Sequence, residues 1–229
     1  MLYAYQYDQL NRLIGMNSYT GLNGNNTFTA SVSEDYKERI SYDANGNIKT
    51  YLRNGAGAAQ GLAMDNMSYG YSYQNGKLQN NRLRHVKDAA TTSAYTEDIK
   101  DQVDDNYSYD EIGNLVIDRA EGMYNPSSPS QQMIEWNVYG KIEKITKIKN
   151  NSTTVITYTY DASGSRITKD VDGKVTWYVR DAGGNVMSIY SKDQNLNSGQ
   201  LTQTEVHLYG SSRLGVLNLN RNVELVPAT

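Results

Sequence analysis

The chain has 229 residues, with 22 basic and 25 acidic residues, a net charge of −3 and no cysteine. Its basic residues are dispersed, which argues against a nucleic-acid-binding surface, and the absence of cysteine excludes disulfides and thiolate metal sites. The presence of 20 tyrosines and 2 tryptophans against 3 prolines and 1 phenylalanine is typical of β-strands and not of disorder.

Aromatic and β-branched residues that alternate with polar ones predict strands along the whole chain. We expect sixteen strands, at residues 3–7, 12–18, 38–43, 47–53, 67–74, 77–87, 106–110, 114–119, 132–137, 141–149, 153–161, 165–171, 174–180, 185–191, 203–209 and 214–219. Residues 19–35 and 54–66 are polar or small and are expected to be loops, while 88–105 has room for a short helix. The turn-rich segments 125–130 and 192–199 are expected to connect strands.

One pattern recurs through these strands. An aromatic pair at positions i and i+2 leads directly into a turn built on Asp or Asn and Gly, most clearly at residues 158–167, Tyr-Thr-Tyr-Asp-Ala-Ser-Gly-Ser-Arg-Ile. The first turn position is taken in eight copies by Asp8, Asp43, Gln74, Asp110, Asn137, Asp161, Asp181 and Gly210. The intervals vary from 20 to 36 residues, which favours hairpins over a helical solenoid, since extra residues can leave a sheet through its edge loops.

The turn chemistry supports the hairpin. In the strong copies Asp stands first and Gly fourth, which predicts a type I turn closed by a left-handed residue. We expect the Asp carboxylate to accept hydrogen bonds from backbone N–H groups two or three residues on. Tyrosine suits a thin, half-wetted sheet because its ring packs while its hydroxyl keeps a water or backbone partner.

These copies resemble the YD repeat of the Rhs protein family, whose pattern is roughly Tyr-x-Tyr-Asp-x-x-Gly-Asn/Arg-Leu. The resemblance is carried by residues 42–48, 107–115 and 160–167, and by 5–13, where Asn11 replaces the usual Gly. Weaker copies centre on Gln74 and Trp136. The repeat-motif residues are Tyr7, Asp8, Tyr42, Asp43, Gly46, Tyr73, Gly76, Tyr109, Asp110, Gly113, Trp136, Gly140, Tyr160, Asp161 and Gly164.

The resemblance implies an all-β fold, an array of antiparallel β-hairpins forming a curved or spiralling sheet that is part of an Rhs/YD-repeat shell. It implies a single array over residues 1–229, which is either a segment of a larger secreted or cell-surface bacterial protein or a degenerate short member of the family. Its partners would be neighbouring repeats and a C-terminal toxin or other cargo, which the shell encloses. The self-cleavage motif of cargo-releasing members does not occur here, so protease activity is not carried over. The alternative is a cell-surface adhesin or carbohydrate-binding module that uses a Tyr-rich sheet.

We expect neither a signal peptide nor a membrane span within the chain, because its start lacks a basic segment with an apolar core and no apolar run approaches about 20 residues. The first and last strands would be open edges, which predicts edge-to-edge self-association. Residues 141–149 form the one basic cluster, interpreted as a strand protected by Lys. Its isoleucines recur every three residues, which predicts a bulge or a short helical turn.

Each candidate for chemistry has a structural explanation. His85 and His207 are the only histidines, and no Gly-x-Ser-x-Gly accompanies His207 with Ser211 or Ser212. The Asp turns lack the glycine placement and distal Glu of an EF-hand. The acidic pair at 104–105 is interpreted as a solvated loop, and the Gly pair at 183–184 as a hairpin turn. We therefore predict that the chain is not an enzyme and has no catalytic, cofactor-binding or metal-binding residues.

Overall fold

The computed structural model of the chain describes residues 1–25, 27–57, 63–90, 95 and 99–224. It is all-β and antiparallel, as predicted, and each expected strand overlaps an observed one. The strands are β1 Leu2–Tyr7, β2 Leu13–Leu22, β3 Phe28–Tyr42, β4 Ile48–Asn54, β5 Ala63–Gln74, β6 Lys77–Asp88, β7 Tyr107–Tyr109, β8 Leu115–Asp118, β9 Ile134–Trp136, β10 Ile142–Lys149, β11 Ser152–Tyr160, β12 Arg166–Val171, β13 Lys174–Arg180, β14 Val186–Lys192, β15 Thr202–Tyr209 and β16 Arg213–Asn222. In the described part of the chain the single helical turn is a 3-10 turn at Asn197–Gly199, and no helix there is long and apolar enough to cross a membrane.

The strands belong to two compact units. The N-terminal unit, Met1–Tyr109, contains a six-stranded sheet in the order β1 to β6, in which every neighbouring pair is antiparallel. The C-terminal unit, Asp110–Thr229, contains an eight-stranded antiparallel sheet in the order β9 to β16. Strands β7 and β8 form a two-stranded sheet. The order follows the sequence throughout, so each sheet is a meander of successive hairpins. The prediction of a single array over residues 1–229 stays a prediction.

Two predicted loops are partly strand, and these predictions are wrong. β2 extends to Leu22 and β3 begins at Phe28, and these two residues lie opposite each other. Pairing between strands satisfies the hydrogen bonds of the backbone whatever the side chains are. Polar residues near the end of β2 and the start of β3 therefore do not prevent these strands from pairing. Likewise β5 begins at Ala63, inside the expected loop 54–66.

The other local expectations have mixed outcomes. A bulge between Ile142 and Lys144, where β10 meets β9, accounts for the spacing of Ile142 and Ile145. Ile145 and Ile148 lie on a regularly paired stretch of β10 and therefore point to opposite faces. The described residues 88–90, 95 and 99–105 contain no helix, and residues 91–94 and 96–98 lie outside the described part of the chain.

The hydrophobic core of each unit is small. In the described part of the N-terminal unit the buried hydrophobic residues are Met16, Met67 and Val86, and in that of the C-terminal unit they are Val116, Ile117, Met133 and Ile134. Burial of so little apolar surface provides a modest hydrophobic contribution to stability. Hydrogen bonds between hairpins therefore contribute a larger share of the stability than they would in a domain with a thick core.

Candidate functional site

Six turns of the array share one backbone geometry. The fourth residue has a positive φ, from 58° to 100°, and its N–H donates to the carbonyl of the first residue. The first residue in turn donates its N–H to the carbonyl four residues on. The first and fourth residues are Asp8 and Asn11, Asp43 and Gly46, Asp110 and Gly113, Asn137 and Gly140, Asp161 and Gly164, and Asp181 and Gly184. This is the predicted type I turn closed by a left-handed residue.

The Asp43 carboxylate shows how the turn is capped. Its Oδ1 accepts from the N–H groups of Asn45 and Asn47, both at 2.9 Å, so one cap lies two residues on, as predicted, and the other lies four residues on. Its Oδ2 accepts from Nδ2 of Asn47 at 2.8 Å. The hydrogen bond from the Asn47 side chain, together with the backbone N–H groups, holds the pKa of Asp43 below its usual value against the opposing effect of desolvation.

The carboxylates of the other turn Asp residues also accept hydrogen bonds from within their own turns. The backbone N–H of Arg12 and then its guanidinium lower the pKa of Asp8. The Asn185 side chain and N–H lower the pKa of Asp181. Each of these carboxylates accepts hydrogen bonds from the backbone of its own turn, which is the arrangement of a cap. Asn137 makes the equivalent backbone bonds without a charge, which shows that the cap needs an acceptor oxygen and not an anion.

A second regular feature joins neighbouring hairpins, and we call it the side-chain ladder. In each rung a side chain that directly precedes a turn, or occupies the equivalent place, donates a hydrogen bond to a backbone carbonyl of the preceding hairpin. The rungs are Tyr42 to Leu13 at 2.8 Å, Tyr71 to Ile48 at 3.0 Å, Tyr109 to Leu83 at 2.8 Å, Trp136 to Leu115 at 2.8 Å, Tyr160 to Ile142 at 2.7 Å, Arg180 to Arg166 at 3.4 Å and Tyr209 to Val186 at 3.0 Å.

The acceptors follow a rule. Leu13 is paired with Tyr7, and Ile48 is paired with Tyr42, so the acceptor of these rungs is the strand partner of the aromatic residue that precedes the previous turn. The same holds in the C-terminal unit, where Ile142 is the partner of Trp136. The donor side chains are half-buried. Within each unit the ladder therefore recurs as a repeated bond between one hairpin and the next.

The third hairpin departs from the sequence alignment. Tyr73 and Gly76 occupy the motif positions in the sequence, but Tyr73 is 53% exposed and lies in an extension of the hairpin, opposite Leu78. The ladder donor is Tyr71, whose pKa is raised by burial of its ring. Asn75 and Gly76, both with positive φ, form a two-residue turn at the tip of this extension.

Sequence reasoning did not identify the ladder or its irregular members. Arg180 replaces tyrosine with a guanidinium Nε, and Tyr209 precedes a turn without Asp. The available signal was the position before each turn, which carries a hydrogen-bond donor on a long planar side chain in six of the seven rungs, with Tyr71 as the exception. Arginines also cover ring faces along the array, with Arg12 at 4.6 Å from the Tyr42 ring centre and Arg166 at 4.5 Å from that of Tyr158.

The N-terminal unit also contains an open cavity of about 510 Å³. Its lining includes Tyr3, Tyr5, Tyr36, Glu38 and Arg53. Tyr3 and Tyr36 meet edge to face, with ring centres 6.4 Å apart. Exposed aromatic rings beside charged and amide groups are the usual composition of a site that binds small polar molecules.

An ion pair with one buried partner borders this cavity. The Arg53 guanidinium pairs with Asp65, whose side chain is 0% exposed, and Oδ1 of Asp65 is buried without a hydrogen-bond partner. Burial first, and then the negative charge of Glu38, raise the pKa of Tyr51 on the same sheet face. The pair orients Arg53 beside the cavity, since Asp65 fixes the guanidinium.

The histidines and the acidic pair at 104–105 take structural positions. His85 packs over Gly70, and its Nδ1 accepts from the Asp105 N–H at 3.3 Å. The ring nitrogen Nε2 of His207 lies 3.2 Å from a carboxylate oxygen of Glu205 and not from a serine hydroxyl. Asp104 pairs with Lys87 at 3.0 Å. Within the described residues, no group of three or more His, Asp and Glu is placed to hold a metal ion.

Comparison with known proteins adds little information about the function of this chain. No protein-family model matches the chain, and no curated protein matches it. Among solved structures, it is similar to a chain of the crystal structure of TcdB2-TccC3-TEV, with a TM-score of 0.36, 13% identity, and coverage of 90% of this chain and 12% of that one. For TcdB2-TccC3-Cdc42 the TM-score is 0.29 at 13% identity, with 92% of this chain and 14% of that one covered. The chain thus spans a small fraction of the chains it matches, and at these TM-scores the likeness supports no functional conclusion.

Proposed function

We propose that this chain is a non-enzymatic structural wall of an Rhs/YD-repeat shell, which encloses a C-terminal toxin or other cargo of a larger secreted or cell-surface polypeptide. The single observation that carries the proposal is the side-chain ladder. A wall must resist opening between its strands although it has only a thin core. The ladder supplies a bond between successive hairpins beyond the bonds of the strands themselves, in both units.

The turns support the same role. Each Asp or Asn cap fixes its turn with at least two backbone bonds, as Asp161 does with the N–H groups of Ser163 and Ser165 at 2.9 Å each. A rigid turn places the preceding tyrosine at a constant position relative to the neighbouring hairpin. The residue types that the motif repeats are therefore those that build the wall.

The test is protection of the cargo. In the longer polypeptide, the C-terminal segment should be digested by a dilute protease much more slowly than the same segment expressed alone. Replacing Tyr42 and Tyr160 with phenylalanine should speed this digestion, because two rungs of the ladder are lost. The matched control replaces Tyr73 and Tyr139, which are exposed and make no rung. A cargo digested equally fast with and without this chain would refute the proposal.

The cavity in the N-terminal unit favours a second candidate function, carbohydrate binding by an adhesin. Tyr3, Tyr5 and Tyr36 offer ring faces, while Glu38 and Arg53 offer hydrogen bonds to sugar hydroxyls. Glycan-array binding by the chain that is lost in Tyr5→Ala but kept in Tyr73→Ala would support it. Failure to bind any glycan across a broad panel would count against it and leave the wall proposal unaffected.

A further inference from the structure

We propose that the C-terminal unit binds a phosphate or sulfate group in an open depression lined by Lys141, Arg166 and Arg180. The group would belong to a free ion or to an ester of a sugar, since both sources present the same tetrahedral oxyanion. The site lies at the turns that join β9 to β10, β11 to β12 and β13 to β14, and it does not depend on the wall role of the chain.

One rung of the side-chain ladder differs from the other six in both of its members. In the six the donor is Tyr or Trp, the acceptor carbonyl belongs to Leu, Ile or Val, and the bond measures 2.7–3.0 Å. In the exceptional rung Arg180 donates to the Arg166 carbonyl, and the bond of 3.4 Å is the longest of the ladder. Two like charges side by side repel each other, so this exchange does not favour the stability of the rung. The two arginines therefore call for a role other than joining hairpins.

A third cation reaches the same place from the preceding turn. The depression has a volume of about 360 Å³ and is lined by Lys141, Tyr160, Gly164, Arg166, Tyr178 and Arg180. The Lys141 side chain lies across Gly164 of the next turn, with its Cε 3.3 Å and its Nζ 3.9 Å from the point that a Cβ on that glycine would take. Three hairpins thus each contribute one positive charge to one depression.

These charges are not neutralised by ion pairs. Within the described residues, none of Lys141, Arg166 and Arg180 pairs with a carboxylate. Arg180 donates to backbone carbonyls, and the Nε of Arg166 is buried without a hydrogen-bond partner while its guanidinium lies against the Tyr158 ring. A cation that is partly removed from water is normally paired with an anion, because its desolvation is otherwise uncompensated. A bound oxyanion would supply that partner.

Asp161 brings a negative charge to the neighbourhood but is engaged in its own turn. Its Oδ1 accepts from the N–H and hydroxyl of Ser163 and from the N–H of Ser165. The Ser163 side chain is the main cause that lowers the pKa of Asp161, and the charge of Arg180 is a smaller one. One carboxylate against three cations leaves an excess of positive charge at the site.

The composition of the site favours a compact oxyanion on a polar molecule. A guanidinium presents paired N–H donors that match phosphate and sulfate oxygens, and an ammonium group adds a point charge. An adjoining depression of about 450 Å³ shares Lys141, Tyr160 and Gly164 with the first, and its lining includes the exposed ring of Tyr139 and the side chain of Asn137. A ring face beside hydrogen-bonding groups suits a sugar that carries the oxyanion. An extended acidic peptide fits less well, because the three cations line a single depression.

Calorimetric titration of the full chain tests the site with inorganic phosphate, glucose 6-phosphate, glucose 6-sulfate and glucose as probes. Both esters should bind, and glucose, which carries no charge, should not. Inorganic phosphate that binds as tightly as glucose 6-phosphate would identify the free ion as the ligand, while tighter binding of the ester would identify the sugar ester. Failure of every phosphate and sulfate probe to bind would overturn the proposal.

Variants that restore the usual ladder residues separate binding from wall building. Arg166→Leu and Arg180→Tyr give the rung the residue types of the other rungs, so circular dichroism should show unchanged strand content and the urea midpoint should not fall. Each removes a charged donor from the ligand and should weaken the binding of glucose 6-phosphate by about ten-fold. The matched control is Arg213→Leu, which removes the same charge at an exposed arginine of β16 and should leave the affinity unchanged.

Lys141→Gln keeps the test decisive if an arginine variant fails to fold. The Lys141 side chain is exposed and takes no part in the ladder, so the urea midpoint should stay the same while the affinity falls by about ten-fold. A Lys141→Gln or Arg166→Leu variant that binds glucose 6-phosphate as tightly as the unaltered chain would contradict the proposal. Tighter binding of a polyglutamate peptide than of either ester would also contradict it and assign the site to an acidic polypeptide.

Discussion

Removal of one rung of the side-chain ladder should cost a measurable and limited amount of stability. Tyr160→Phe keeps the ring and deletes only the hydroxyl, which donates to the Ile142 carbonyl at 2.7 Å. A neutral hydrogen bond contributes about 0.5–1.5 kcal/mol net to folding. The Tyr160 ring is half-buried, so water can reach the carbonyl in the variant and limits the penalty. We therefore expect a loss of about 1 kcal/mol in the free energy of unfolding, and a fall in Tm of roughly 3–5 °C.

The assay is urea unfolding followed by tryptophan fluorescence. Trp136 and Trp177 are the only tryptophans and both belong to the C-terminal unit, so the signal reports the unit that contains the substitution. The matched control is Tyr139→Phe, at a tyrosine that is 83% exposed, where the change should stay within about 0.5 kcal/mol. If Tyr160→Phe and Tyr139→Phe unfold at the same urea concentration, the rung does not stabilise the sheet and the reasoning fails.

Two further predictions concern the turns. Gly164 has a φ of +82°, so Gly164→Ala should lower the free energy of unfolding by about 1–2 kcal/mol, while Gly215→Ala, which is without positive φ, should leave the urea midpoint nearly unchanged. The hydrogen bond from the Ser163 side chain, and then the backbone N–H of Ser165, lower the pKa of Asp161 from its usual 3.8. A folded pKa below the unfolded value stabilises the protein above the unfolded pKa, and this contribution is lost as the pH falls through the folded pKa. The urea midpoint should therefore drop on acidification below about pH 4, and the drop should be smaller in Asp161→Asn; equal drops in the two proteins would show that this carboxylate does not contribute.

The Asn137 turn explains why Asp161→Asn should still fold. Asn137 accepts from the N–H groups of Tyr139 and Lys141 at 3.0 Å each, the same bonds that an Asp makes. What the charge adds is the dependence of stability on pH. The repeat can thus exchange Asp for Asn at a turn without losing the hairpin, as its fifth copy does.

The sequence by itself determined the strands and the turns of this protein. Both depend on interactions within about ten residues, namely the alternation of rings with polar residues and the capping of a turn by its own Asp or Asn. The left-handed Gly164 and the capped Asp161 could be predicted for that reason, and the alternation located part of every strand but not the full extent of β2, β3 and β5.

Only the tertiary structure decided which side chain joins each hairpin to its neighbour. Tyr71 and Tyr73 are equivalent in the local pattern, and the register of β5 against β4 and β6 selects Tyr71 as the donor. The register also places Arg180 where other hairpins have a tyrosine donor. It pairs part of the polar segment 19–35 as strand between β2 and β3. A rung or a strand pair exists only when two segments distant in sequence meet at a particular offset, and no short stretch of sequence carries that information.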